Sequence, residues 1–172
     1  MILAGDTQKF AIAAEITGIY GGWLLGRFRF IFHNRACGNW EDDADLRGCY
    51  GWLKDFFEKS RDRFEPGLFE LPAVKVYERL IMPVFSQPEH AQVSESYQNT
   101  FDRFQIGHLG MSSFDNIAVV LIENAAIQRC VWIDWRTEEI LEDTFPAGEM
   151  QRVAAEFCKL LKAEAAELGF VL

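Results

Sequence analysis

No stretch of the 172 residues approaches 18 uncharged apolar positions, so the sequence offers no membrane-spanning helix. The N-terminus, "MILAGDTQKFAIAAEI", lacks a basic region followed by an apolar core, so no secretory signal is expected. Positive charge is scarce: 17 Lys and Arg stand against 26 Asp and Glu, a formal net charge of −9. Binding to nucleic acid or to an anionic membrane surface needs clustered cations, so neither is expected as a partner of the whole chain. Histidines number three (His33, His90, His108) and share no H-E-x-x-H spacing. There is no G-x-S-x-G, no P-loop and no G-x-G-x-x-G, so the usual hydrolase, nucleotide and dinucleotide signatures are all absent. The four cysteines, Cys37, Cys49, Cys130 and Cys158, match no zinc spacing. Without an export signal they are expected to be reduced, buried and inert, in a cytoplasmic protein.

What is abundant is apolar and aromatic material: 49% hydrophobic residues, with fifteen Phe and five Trp. That is enough for a packed core in a single domain spanning residues 1–172. Residues 8–17 alternate Phe10, Ile12, Ala14 and Ile16, which predicts a strand with one buried face. "RFRFIFH", 27–33, alternates more strictly, with Phe28, Phe30 and Phe32 opposite Arg27, Arg29 and His33. With "GIYGGWLLG" as a glycine-rich turn, the two segments predict an antiparallel hairpin. Leu46, Tyr50, Leu53 and Phe57 recur at helical spacing, with Gly48 and Gly51 weakening that helix. A second helix is expected over 71–81, with Pro72 in its first turn, followed by a loop carrying Pro83 and Pro88.

Residues 93–116 carry no readable pattern. Strands follow at 117–123 and 127–135, and "EILEDTF" suggests another. Pro146 is expected to open a long C-terminal helix, with Met150, Val153, Phe157, Leu160 or Leu161, and Leu168 as its stripe and Gly169 as its C-cap. The order predicts an α+β fold: an antiparallel sheet of about five or six strands packed by two or three helices.

The most unusual segment is "NWEDDADLRG", where Glu41, Asp42, Asp43 and Asp45 occupy five positions. A D-x-D pair suits Ca²⁺ or Mg²⁺, but an EF-hand counted from Asp43 has Gly48 at its sixth position and Lys54 at its twelfth, where a bidentate Glu is required. Asp45 stands where it caps the helix starting at Leu46, and its neighbours then lie at the positive end of the helix dipole. Capping requires one or two carboxylates rather than four. The surplus is either solvated or a landing site for cationic side chains of another protein. "RFRFIFH" interleaves basic and aromatic residues as RNA-binding sheets do, but equally as a half-buried strand does. In "VWIDW", alternation places Trp132 and Asp134 on one face, lining a polar pocket or pairing with an Arg. His108 near Ser112 and Ser113 has no supporting motif. Charge is uneven: residues 138–167 hold eight acids and three bases.

"GDTQKFAIAAEI", "GGWLLGRFRF" and "CGNWEDDADLRGC", in that order, resemble the polymorphic-toxin immunity proteins of family 42. The likeness is clearest over residues 5–57 and continues through "LFELPAVKVYERL" and "RCVWIDW". The resemblance implies a cytoplasmic, non-enzymatic bacterial protein that binds and neutralises a cognate secreted toxin, with no cofactor and no catalytic residues. Combined with the charge, it makes a basic toxin domain the expected partner and Glu41, Asp42, Asp43 and Asp45 the expected contact. The alternatives are a small α+β enzyme, or a ligand-binding regulatory domain, with a carboxylate or His pocket.

Overall fold

The structure is a computed structural model that describes residues 1–58, 63–85, 95–106 and 112–172. In chain order its elements are β1 (Ile2–Gly5), β2 (Phe10–Tyr20), β3 (Trp23–Phe32), β4 (Arg35–Cys37), β5 (Ala44–Asp45), α1 (Leu46–Glu58), α2 (Pro66–Phe69), α3 (Ala73–Val76), a π turn (Tyr77–Ile81), α4 (Met82–Phe85), α5 (Glu95–Phe104), a 3-10 turn (Ser112–Phe114), β6 (Ile117–Glu123), β7 (Ile127–Asp134), β8 (Glu139–Pro146) and α6 (Glu149–Glu167). The fold is α+β with antiparallel strand pairs and a long C-terminal helix, as the element order predicts. The strands divide between two sheets, one of five and one of three. The chain correspondingly forms two compact units.

The first unit comprises Met1–Ser60, Leu109–Asp115 and Gly148–Leu172. Its sheet runs β1-β2-β3-β4, with β5 also pairing β3. The alternation read from the sequence sets its inner face: Phe10, Phe28, Phe30 and Phe32 are all fully buried and in mutual ring contact. The Phe28 ring meets Phe157 of α6 edge-on at 5.6 Å, a geometry that adds to simple area burial. Leu46 and Leu53 of α1, and Val153 and Leu161 of α6, complete this core.

The hairpin is longer than its sequence suggests. Gly21 and Gly22 both take positive φ (57° and 86°), so two residues suffice to reverse the chain. This is the twist that suits a two-residue hairpin, and glycine adopts it without strain. Ile19, Tyr20, Trp23 and Leu24 therefore belong to paired strands rather than to a loop.

Pro146 ends β8 instead of opening α6, which starts after Gly148. The buried stripe of α6 passes through Leu161 and Ala165, leaving Leu160 and Leu168 exposed. At its end Gly169 takes φ 75°, its N–H reaching Ala166 O and that of Phe170 reaching Ala165 O, the paired bonds of a Schellman cap.

The second unit comprises Arg61–His108 and Asn116–Ala147. Its sheet is the meander β6-β7-β8. Ala118, Val120 and Ile122 of β6, with Val131 and Ile133 of β7, pack against Val76, Leu80, Ile81, Phe101 and Phe104. The helix expected over 71–81 begins at Ala73 and runs on as α4 to Phe85, so the expected proline loop starts later. Its π turn ends at Ile81, two residues before Pro83. A proline ring collides with the carbonyl four residues back and supplies no N–H, and wider hydrogen bonding relieves both problems. Residues 88 and 108 lie outside the described residues.

Candidate partner-binding surface

The acidic segment is held in place by its neighbours within the first unit. Trp40 packs against Ala11, Ala13 and Ile31 on the outer face of the β2–β3 hairpin. The guanidinium of Arg29 lies over its ring, 4.6 Å from the centroid. Asn39 N–H donates to Ser113 O (2.8 Å), and Ser112 Oγ donates to Asp43 O (2.9 Å). Ala44 and Asp45 then add as β5 to β3, opposite Gly26 and Leu25.

The four carboxylates have different duties. Asp45 is the N-cap of α1, its Oδ1 accepting from Arg47 N–H at 3.1 Å, as its place before Leu46 predicts. Gly48 makes room for this cap, since a Cβ there would lie 2.9 Å from Asp45 Oδ2. Asp42 is half-buried and accepts from Asn39 Nδ2 at 2.8 Å. Glu41 is exposed, with Arg27 Nη2 at 3.9 Å, a surface pair too loose to neutralise it. The Asp43 side chain is exposed. Glu41 and Asp43 are thus the pair freest to meet a partner.

Asp45 also connects this segment to the hairpin tip. Gly21, Gly22, Trp23, Asp45, Arg47 and Gly48 line a depression of about 490 Å³. Tyr20 and Trp23 stand out at the tip, 79% and 56% exposed, with Ile19 beside them. Exposed aromatics next to charge are the residues that anchor protein interfaces. In the sequence this tip reads as the centre of a turn. Two adjacent glycines flanked by Tyr20 and Trp23 were the available signal.

The other sequence candidates have structural roles. Asp134 is clasped by the guanidinium and backbone N–H of Arg136. The Arg136 hydrogen bonds hold its carboxyl below the usual range, so it stays ionised in a pair rather than poised for proton transfer. Trp132 Nε1 donates to the buried Asp143. His33 sits in the β3–β4 turn at φ 46°. Three acids of α6 are engaged on their own helix or at the N-terminus: Glu149 and Glu156 with Arg152, and Glu164 with the Met1 amino group. Hydrogen bonding from Arg152 lowers the Glu149 pKa. All four cysteines are free thiols, three buried and Cys158 half-buried. Burial pushes the Cys49 thiol up, with Asp45 adding to the effect, so it is a poor nucleophile. Among the described residues no group of three or more His, Cys, Asp or Glu is placed to hold a metal ion, and no helix is long and apolar enough to cross a membrane.

Asp45 bears on stability as well as charge, and two variants separate these effects. Asp45→Ala is expected to lower unfolding free energy by about 1 kcal/mol through loss of the cap, while Asp45→Asn keeps most of it. Urea midpoints at constant m check this, and equal loss in both variants would show that charge rather than capping matters.

An exposed aromatic tip thus stands beside partly unpaired carboxylates, on an α+β scaffold that orders both. The fold is similar to that in the crystal structure of CdiI from Burkholderia dolosa AUO158, at a TM-score of 0.69 and 14% identity, covering 90% of this chain and 97% of that one. The chain belongs to the Immunity protein 42 family, whose model matches residues 1–159. No curated protein gives a significant match.

Proposed function

We propose that this immunity protein neutralises a cognate secreted toxin by binding it in the cytoplasm and masking its active surface, without catalysis. The observation that carries this reading is the family match over residues 1–159. The net charge of −9 makes a basic toxin domain the natural partner and speeds its capture over competing neutral surfaces. Glu41, Asp42, Asp43 and Asp45 form the acidic contact, with Glu41 and Asp43 meeting Lys or Arg directly. Tyr20 and Trp23 supply the apolar area from which most interface affinity comes. Nucleic acids and membranes are not partners in this scheme, and no metal or cofactor takes part.

The test is co-expression with a candidate toxin domain from a gene neighbouring its own, followed by isolation of the complex. Rescue of growth together with a stoichiometric complex is the expected result. Rescue without any complex, or turnover of the toxin's substrate or product by the purified chain, would overturn the binding mechanism.

A further inference from the structure

Several cations among the described residues sit beside a carboxylate. Arg27, Arg63, Lys75, Arg103, Arg129, Arg136 and Arg152 all do. Three of the six lysines depart from that habit and gather in one place. Lys54 of α1, and Lys159 and Lys162 of α6, rim a groove of about 520 Å³ between the two helices. All three are exposed, and among the described residues none has a carboxylate partner. On α6 the positions four residues either side of Lys159 are Ala155 and Ala163, and those around Lys162 are Cys158 and Ala166. Glu156 stands three residues before Lys159 but is paired with Arg152. Lys159 and Lys162, three apart, repel each other instead.

The floor beneath them is apolar: Leu53, Phe57 and Ala154, with half-buried Cys158 and Tyr50 at the sides. An apolar trough of this size, with charge of one sign at its rim, is a ligand site in shape and composition. We propose that the α1–α6 groove binds a small anionic amphiphile, an aliphatic carboxylate of medium chain length. Its head sits among Lys54, Lys159 and Lys162, and its tail lies along the half-buried Phe57, Tyr50 and Cys158. The head relieves the lysine repulsion and the tail covers the accessible parts of Phe57, Tyr50 and Cys158. The site is independent of toxin binding.

The full-length chain is titrated with sodium decanoate below its micelle concentration, by calorimetry and by amide chemical shifts. Decyltrimethylammonium, with the same tail and the opposite head, is titrated in parallel. Saturable one-to-one decanoate binding is expected, at least tenfold tighter than the ammonium, with shifts centred on Tyr50, Phe57 and Cys158. Replacing the three lysines by Gln should weaken decanoate at least tenfold without lowering the melting temperature of the free protein. Ala155→Trp, which places bulk at the groove, should block it as well. Absence of saturable binding, equal affinity for the two heads, or shifts centred elsewhere would overturn the proposal. So would a triple variant that binds like wild type, or adsorption to phosphatidylglycerol vesicles in place of decanoate binding.

Discussion

The double variant Glu41→Lys/Asp43→Lys is expected to bind the toxin domain about 100-fold more weakly, equivalent to roughly 2.7 kcal/mol. Both side chains are exposed. Neither carboxylate is needed to hold the segment in place, because Trp40, Asn39 and the backbone of Asp43 do that. Surface changes away from caps and buried groups usually alter stability by about 0.5 kcal/mol or less, so the folded variant can be compared directly with wild type. Reversal removes two attractions to a basic partner and creates two repulsions. Like-charge juxtaposition is the stronger lever on specificity, and it acts first on the association rate. The same experiment in rising salt carries a second signature. Wild-type association should slow steeply as ionic strength screens exposed charges, while the variant should respond weakly or in the opposite sense. Kinetics by surface binding at two salt concentrations measure both. Unchanged affinity with unchanged salt dependence would remove this segment from the interface. Asp45→Asn extends the series by deleting charge while keeping the helix cap.

Replacing Arg129 by Ala should cost about 2–3 kcal/mol of folding stability, because it strands two part-buried carbonyl acceptors that a charged donor now satisfies. Arg129 is 7% exposed, at the centre of β7. Its Nη1 donates to the carbonyls of Phe69 (2.7 Å), the last residue of α2, and Leu71 (2.6 Å). Its Nε and Nη2 reach the Glu142 carboxylate on the next strand. One planar guanidinium thus fastens an irregular segment to the sheet and satisfies two backbone acceptors. Alanine abandons those acceptors along with Glu142. Lysine is expected to recover little, since a single ammonium on a flexible stem cannot serve both directions at once. Urea unfolding measures the loss. A change under about 1 kcal/mol would mean that water replaces the guanidinium without penalty.

Local patterning accounts for how far the fold was legible. Phe28, Phe30 and Phe32 alternate because a pleated strand turns successive side chains to opposite faces, so their burial is written in the spacing. Asp45 before Leu46 and Gly169 after α6 act on backbone groups within a few residues, and both are found where they were expected. Residues 95–106 resisted reading because, among the described side chains of α5, only Phe101 and Phe104 are buried, too few positions to define a period. The lysine groove had no local signature, as Lys54 and Lys159 are more than a hundred positions apart.

By itself the sequence determined the antiparallel α+β class, the inner face of the hairpin, the helix caps, the acidic character and the family. These depend on periodicity, on short-range hydrogen bonds or on composition, and for the family on its resemblance in ordered motifs, none of which requires knowing what packs against what. Only the tertiary structure decided that the strands form two sheets, because alternation says that a face is buried and not which partner buries it. It also decided that the hairpin tip stands beside Asp45, and that three lysines share one groove. Those juxtapositions come from the pairing of β5 with β3 and the packing of α1 on α6. Such long-range pairings are set by the sum of many contacts between distant segments, to which no single stretch of chain holds the key.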